Sequence, residues 1–327
     1  MKRYLLLLTI ITFVGCGTSV FGQQAAQYSL YMFNKYNFNA AYGGLDNSLS
    51  ATAVFRKQWL GFDGSPITQN INVHLPWYYA SGAVGLNVEN DILGAERNTS
   101  VTLSYNFIGR VGENSNFSIG VAGGLIQKML DGTRLRAPDG EYEGNLIDHN
   151  DDFIPETRQS AIAPALHVGA YYKSELFEVG FSVANLLEPS ASYALGSVTK
   201  IDFSRTFYLS FGYNLLLGEK LVIHPSLFVK SDLVQTQADF SALVRYNGNI
   251  FGGVSFRGYS KNTVDALVFM AGMGITEKIT LAYAYDMSLS GLSGFNSGSH
   301  EIMLNYNLKK KIGGSVPSKI IFNPRFY

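Results

Sequence analysis

The sequence is poor in charge and in cysteine. Only 15% of its 327 residues are charged, whereas a typical soluble domain carries roughly 25%. The 25 basic residues balance the 25 acidic ones, so there is no basic excess of the kind that contacts with nucleic-acid phosphates require. We therefore expect no nucleic-acid partner. The single cysteine, Cys16, excludes an internal disulfide framework.

Long apolar runs are also scarce. The mean hydropathy is only +0.07, and the apolar run over residues 4–14 is shorter than the roughly 20 residues that a membrane-spanning helix needs. The hydrophobic content of 46% excludes intrinsic disorder. Aromatic residues make up 13%, mostly Tyr and Phe, and there are 34 glycines. This composition favours a large β-rich body, which is either a soluble sandwich or a membrane barrel.

The first residues predict the route of export. Lys2 and Arg3 precede the short apolar run, and a stretch of small residues ends at Gly22. This order predicts a secretory signal peptide over residues 1–22 with cleavage after Gly22. Cys16 lies inside this segment and leaves two alternatives. The preceding Val-Gly pair resembles the end of a lipobox and suggests lipidation, whereas ordinary cleavage would remove the cysteine with the leader.

The mature chain shows the period of β-strands. Apolar and small or polar residues alternate through segments such as 206–215, 279–288 and 302–308, and alternation places them on opposite faces of a strand. The segments are about 10–14 residues long, whereas ordinary strands average 5–6 and membrane strands need 9–11. Aromatic residues recur at segment ends, as interface girdles do, and short connections alternate with long ones. We therefore predict an all-β fold, a closed antiparallel outer-membrane β-barrel of about 14 strands over residues 49–308. The predicted strands are 49–59, 67–77, 82–92, 98–110, 115–130, 158–173, 176–186, 203–217, 219–231, 236–247, 249–259, 263–275, 277–289 and 298–308.

Two segments flank the predicted barrel. Residues 23–48 lack clean alternation and are predicted to form either a plug or a periplasmic segment. Residues 309–327 follow the last strand as a periplasmic tail that ends with Arg325, Phe326 and Tyr327. The apolar and aromatic residues of this tail suit a docking segment, and the alternative is a frayed terminus.

The sequence contains no convincing motif for catalysis or for metal binding. Ser299, His300 and Glu301 are the residue types of a hydrolase relay, but adjacent strand residues point to opposite faces and cannot form one by themselves. The connection over residues 131–157 is rich in carboxylates, which suit calcium, but it lacks the spacing of a known calcium loop, and a solvated outer loop is the alternative. We predict no catalytic residue, no metal site and no cofactor.

The first outer loop is more informative. It combines a cation, two aromatic residues, two glycines and a proline in one bend. Exposed Trp, Phe and Arg are the residue types of interface anchors, and the alternative is a rim turn whose Trp lies in the headgroup layer. The candidate residues are Arg56, Gln58, Trp59, Gly61, Phe62, Gly64 and Pro66.

This loop resembles the signature of the PorP/SprF family, outer-membrane proteins of type IX secretion and gliding in Bacteroidetes. Residues 56–69 match every fixed position of the approximate pattern Arg-x-Gln-Trp-x-Gly-Phe-x-Gly-x-Pro-x-Thr-Gln. Residues 31–34 and 39–44 look like the family's opening motif, although Ala40 stands where Asn-Pro is usual and Gly43 replaces Ala. Residues 283–286 and 299–301 resemble its closing strands, so the resemblance makes Asp286, His300 and Glu301 structural family residues.

The resemblance implies a non-enzymatic function. Family members support the secretion or surface attachment of type IX cargo such as gliding adhesins, which the barrel would hold through the cargo's C-terminal domain. They also associate with periplasmic components that include a peptidoglycan-binding lipoprotein. The competing hypothesis is a diffusion or transport barrel for small or hydrophobic molecules, with residues 23–48 as its plug. The Gly, Ala, Ser, Thr and Asn residues of the predicted lumen faces argue against a general pore. In both cases outer-membrane lipid surrounds the barrel.

Overall fold

A computed structural model of the chain describes residues 25–312, with the exception of 145, 152–153, 194–199, 261–262, 292 and 311. The predicted signal peptide, Cys16, and the tail residues Arg325, Phe326 and Tyr327 lie outside this part. No helix of the described residues is both long and apolar enough to cross a membrane.

The fold is a closed antiparallel barrel of fourteen strands, as the sequence predicts. Each strand pairs with its neighbours in the chain, and the first strand pairs with the last, which closes the sheet. Two short strands, β10 and β11, together form one barrel strand, and β8 and β9 form a separate hairpin. The strands are β1 (Ser50–Lys57), β2 (Ile67–Trp77), β3 (Gly82–Leu93), β4 (Glu96–Arg110), β5 (Asn116–Asp131), β6 (Arg158–Lys173), β7 (Phe177–Ala184), β8 (Ser190–Ser192), β9 (Lys200–Asp202), β10 (Thr206–Tyr213), β11 (Leu215–Leu217), β12 (Leu221–Ser231), β13 (Thr236–Tyr246), β14 (Ile250–Arg257), β15 (Ala266–Gly274), β16 (Ile279–Ser288) and β17 (Ser299–Asn307). A one-turn helix, α1, spans Lys35–Phe38.

The strands present an apolar face to the outside. On β5, Ile119, Val121 and Leu125 are exposed, whereas Ser118 and Ala122 are buried. Because successive side chains alternate, one face of each strand meets lipid and the other lines the lumen. Closure pairs every strand of the barrel with two neighbours, which removes the sheet edges that a lipid environment does not tolerate.

The connections give the barrel its orientation. At one end the turns are short, and at the other end lie the long connections 58–66, 132–157, 185–205 and 289–298. Short turns are periplasmic and longer loops extracellular in outer-membrane barrels, so Lys57 lies at the outer end of β1. The short turns are 78–81, 111–115, 174–176, 218–220, 247–249 and 275–278. In one of them Asn247 and Gly248 both have positive φ, 51° and 68°, which is the backbone of the tight Asn-Gly hairpin turn.

Residues 25–48, here called the plug, lie inside the barrel. At the outer end the Lys230 ammonium group donates to the carbonyl of Ala25 (2.8 Å). At the periplasmic end Asn307 donates to the Asp46 carboxylate (2.7 Å), beyond which the chain enters β1. The plug therefore runs through the lumen from the outer end to the periplasmic end. Its side chains form the main apolar core, in which Tyr31 stacks on Phe228 of β12 (ring centroids 4.8 Å apart).

Glycines on the barrel wall make room for the plug. A Cβ on Gly85 of β3 would lie 2.2 Å from the Tyr36 hydroxyl, and one on Gly120 of β5 would lie 2.5 Å from the backbone nitrogen of Ala41. Such separations are impossible for real atoms, so the plug and these wall positions fit each other closely.

The direction of the plug gives a first testable prediction. We expect an Ala25→Cys variant to react with a membrane-impermeant maleimide on intact cells, because Ala25 borders two cavities at the outer end of the barrel. A Ser174→Cys variant in a periplasmic turn should react only after the outer membrane is permeabilised. Labelling of the natural chain gives the background, because its single cysteine is Cys16. Reaction of Ala25→Cys only after permeabilisation would contradict the orientation.

Candidate functional site

A buried ionic network lies near the outer end of the lumen, where the first and last strands meet. We call it the seam cluster. Arg56 on β1 lies directly opposite Glu301 on β17 in the pairing that closes the barrel. All of the members are buried. They are Ser29, Arg56, Asp239, Arg257, Asp286 and Glu301.

Arg56 joins three strands at the seam. Its side chain is fully buried, and its two terminal nitrogens contact the carboxylates of Asp286 on β16 (2.7 Å) and Glu301 on β17 (3.1 Å). A guanidinium group carries several donors in a fixed geometry, which suits simultaneous contacts with two carboxylates. A single side chain of the first strand therefore binds the last two strands.

A second arginine extends the network along the barrel wall to β14 and β13. The Nε of Arg257 on β14 contacts Asp239 on the adjacent strand β13 (2.7 Å), and its Nη1 contacts Asp286 (2.8 Å). The carboxylate of Asp286 thus lies between two guanidinium groups. Because each buried charge has an opposite charge in direct contact, the cluster avoids the high cost of an unpaired buried ion.

The plug is bound to the cluster through Ser29 and Leu30. Their backbone N–H groups both donate to the Glu301 carboxylate (2.7 and 3.0 Å). The Ser29 hydroxyl donates to Asp286 (2.7 Å) and accepts from Arg56 and Arg257, each at 2.9 Å. The plug therefore supplies hydrogen bonds that the barrel strands alone do not provide to this network, although the Nε of Arg56 has no partner among the described residues.

A ladder of asparagines fixes the middle of the plug. Asn34 of the plug donates to Asn70 on β2 (3.0 Å) and accepts from Asn72 on the same strand (2.8 Å). Asn37 accepts from Asn70 (2.9 Å) and from Asn87 on β3 (3.0 Å). Primary amides both donate and accept, so they can form such a chain without any charge.

The first outer loop is held against its neighbours. Leu60 exchanges backbone hydrogen bonds with the loop before β17, donating to Gly298 (2.8 Å) and accepting from Ser297 (2.8 Å). On its other side Gly64 accepts from the amide of Gly94 (2.9 Å) in the β3–β4 turn. Trp59 has a positive φ of 46°, a strained conformation for a large residue. These contacts make residues 58–66 an ordered surface, which we call the outer platform.

The predicted candidate residues of the outer platform have different structural roles. The amide of Gln58 donates to the carbonyl of Pro66 (2.9 Å) and closes the base of the loop. Gly61 and Gly64 have φ values of 92° and 74°, in the left-handed region that glycine adopts without strain. Phe62 is half exposed and presents an aromatic ring to the outside.

The strand containing His300 divides its predicted candidates between two faces. Glu301 points into the seam cluster, whereas His300 lies on the outer face and hydrogen-bonds the Tyr283 hydroxyl on β16 (2.5 Å). Ser299 accepts from the Trp59 amide (3.2 Å) and so supports the outer platform. The three adjacent residues thus serve separate contacts.

Sequence reasoning missed four residues of the interior. Arg257, Asp239 and Ser29 complete the seam cluster, and Lys230 binds the start of the plug. For the three charged residues the available signal was a charge at an inward position of an otherwise small or apolar strand, whereas Ser29 of the plug offered no signal. Close to the end of a predicted strand, the sequence does not distinguish such a buried charge from an exposed charge at the rim of the barrel.

The long outer loop is organised around a buried histidine. His149 is only 1% exposed and contacts the Tyr142 hydroxyl through Nδ1 (2.9 Å) and the Gly132 carbonyl through Nε2 (3.1 Å). Arg136 lies over the Tyr142 ring at 4.5 Å. In the described part of the chain, no group of three or more His, Cys, Asp or Glu side chains is placed to hold a metal ion.

These features define the class of the protein. It is an outer-membrane β-barrel whose lumen is filled by its own N-terminal segment. A family model described as type IX secretion system membrane protein PorP/SprF matches residues 20–306, and the chain belongs to this family. No curated protein gives a significant match.

Solved structures of other outer-membrane proteins are also similar. The outer membrane protein Omp33 of Acinetobacter baumannii has 8% identity and a TM-score of 0.44, over 80% of this chain and 97% of that one. The CymD monoaromatic hydrocarbon channel has 12% identity and a TM-score of 0.45, over 84% and 94%. A Pseudomonas aeruginosa FadL homologue has 10% identity and a TM-score of 0.40, over 80% and 89%.

Proposed function

We propose that the protein is a non-enzymatic outer-membrane component of type IX secretion that supports secretion and surface anchoring of a cargo protein, such as a gliding adhesin. Residues 1–22 would be removed during export. In this proposal the barrel is a membrane anchor, its outer surface holds the C-terminal domain of the cargo, and its periplasmic side contacts other components, including a peptidoglycan-binding lipoprotein. Membership of the family supports the secretion role.

The observation that carries the anchoring mechanism is the filled lumen. The plug makes charged and polar contacts at the outer end, in the middle and at the periplasmic end. A segment fixed at three levels suits a permanent support better than a conduit. The outer platform is likewise held on both sides, so it offers a preformed surface and loses little conformational entropy when a partner binds.

Phe62 provides a direct test of the platform. We expect Phe62→Ser to reduce recovery of cargo with the affinity-purified barrel at least tenfold, because a half-exposed aromatic residue on a rigid loop is a typical binding anchor. Leu146→Ser is the matched control, since Leu146 is equally exposed (52% against 50%) on a different outer loop. Both variants should reach the outer membrane in natural amounts.

The same purification tests the proposed function as a whole. Recovery of a large surface protein or of type IX components with the natural chain is the expected result. Recovery of the barrel alone, combined with solute-dependent conductance in planar bilayers, would contradict anchoring and support the transport hypothesis. One observation favours the transport hypothesis. The plug leaves a cavity of about 160 Å³ against β3, β4 and β6, with Glu89 and Asp91 among its lining residues.

A further inference from the structure

A larger cavity lies at the periplasmic end of the barrel. Its volume is about 370 Å³, and its walls come from the plug, from the periplasmic ends of several strands and from the chain just after β17. We call it the periplasmic vestibule. The seam cluster lies at the opposite end of the lumen, so this is a separate site. Its charged lining residues are Lys35, Asp46, Lys173, Glu178, Arg245 and Lys309.

The lining of the vestibule has an excess of positive charge. Lys35 forms an ion pair with Glu178, and the Asp46 carboxylate accepts from Asn307. Within the described part of the chain, Lys173, Arg245 and Lys309 have no carboxylate oxygen within 4.0 Å of their nitrogens. Lys173 instead contacts the Leu45 carbonyl (3.4 Å) and the face of the Tyr42 ring (5.4 Å). Three cations therefore have no carboxylate in direct contact, and the six charged lining residues, four basic and two acidic, leave a net charge of +2 around one opening.

The sequence beyond the last strand argues against occupation by the chain itself. Residues 309–327 contain five basic side chains and no Asp or Glu. Such a segment has the same sign of charge as Lys173 and Arg245, which would repel it. A concave site with one sign of charge concentrates ligands of the opposite sign.

We propose that the periplasmic vestibule is a docking site for an acidic peptide segment of a periplasmic partner protein. This inference rests on the proposed function, because it names the chemistry of the periplasmic contact. Carboxylate side chains of the segment would pair with Arg245 and Lys173, and Lys309 would contribute at the entrance. The vestibule lies between the plug and the strand ends, inside the ring of strands, so lipid headgroups around the barrel do not reach it. A protein segment is therefore the favoured source of the negative charge.

Arg245 is the best position for a test because it points inward from the periplasmic end of β13 yet remains exposed. The full chain in detergent is titrated with a fluorescent hexaglutamate peptide. We expect measurable binding that weakens as salt increases. Arg245→Glu should raise the dissociation constant at least tenfold, because it changes an attraction into a repulsion.

Lys278→Glu is the matched control. It makes the same change in net charge in a periplasmic turn, at a residue that does not line the vestibule. Equal weakening by both variants, or no binding of hexaglutamate to the natural chain, would overturn the proposal. Inorganic phosphate would also overturn the proposal if, at the same total charge, it displaced the fluorescent peptide as well as unlabelled hexaglutamate does. Such a result indicates a site for small anions. Heat-modifiable migration in electrophoresis verifies that each variant is folded.

The outcome for this site is separable from the outcome for the proposed function. Cargo recovery depends on the outer surface, whereas hexaglutamate binding depends on the vestibule. If natural protein recovers cargo but does not bind the peptide, anchoring stands and the vestibule proposal is wrong.

Discussion

Replacing Arg56 by Leu is expected to destabilise the closed barrel strongly. The side chain is fully buried and contacts both Asp286 and Glu301. Its removal leaves the Glu301 carboxylate beside the backbone N–H groups of Ser29 and Leu30 but without its cation. Breaking a buried ion pair in this way costs about 3–5 kcal/mol. Because Arg56 joins β1 to β17, we expect the loss to weaken closure itself.

The measurement is urea unfolding of the purified chain in detergent, followed by its heat-modifiable migration, together with the amount of the protein in outer membranes. Lys57→Leu is the matched control, since Lys57 is the next residue of β1, points to the other face and is not a member of the seam cluster. We expect it to change the free energy of unfolding by less than about 0.5 kcal/mol. Arg56→Lys should be intermediate, because an ammonium group keeps the charge but lacks the forked geometry. An unchanged unfolding midpoint for Arg56→Leu would contradict the seam role.

The barrel could be predicted from the sequence because its signal is local. Alternation with period two, segment length and aromatic ends are visible within each strand, and closure follows from the need to pair every edge. The bounds of the strand predicted over residues 203–217 differ from those in the structure, because they depend on contacts that the local pattern does not contain. The strand begins only at Thr206, because Phe203 is buried inside against Ala161 and Ala163 of β6. It is also interrupted at Asn214, whose amide donates to Leu176 (2.6 Å).

The seam cluster could be predicted only in part, because its members lie far apart in the chain. The first outer loop indicates Arg56 as an exposed anchor, whereas its side chain is fully buried. The family resemblance indicates Asp286 and Glu301, but it gives positions without giving the contacts. Ser29 and Arg257 are separated by 228 positions, and no pattern within one segment relates them. The plug has the same difficulty. Its asparagines and aromatics have no regular period, so the sequence predicts either a plug or a periplasmic segment.

The closure of the lumen by the plug gives the second large prediction. We expect Gly120→Val to displace part of the plug and open an ion-conducting path. The new Cβ would meet the backbone of Ala41 at 2.5 Å and of Ala40 at 2.8 Å. The pairing of β5 with its neighbours is unaffected, since the change concerns only the inward side chain. Eight strands already enclose an interior just wide enough for side chains, so fourteen strands without a plug enclose a channel.

Gly123→Val in the same strand is the control for this experiment. Gly123 is exposed on the outer face and has no atom within 4 Å of its ideal Cβ position. Valine also suits a strand better than glycine, so we expect natural stability and natural, low conductance in planar bilayers. Gly120→Ala should show a smaller increase than Gly120→Val, because its single methyl group still clashes with the backbone but brings less volume. Overpacking of this kind costs about 1–3 kcal/mol, which displaces the plug locally while the strands remain paired. Equal, low conductance of folded Gly120→Val and Gly123→Val barrels would contradict the prediction that the close fit of the plug against Gly120 keeps the lumen closed.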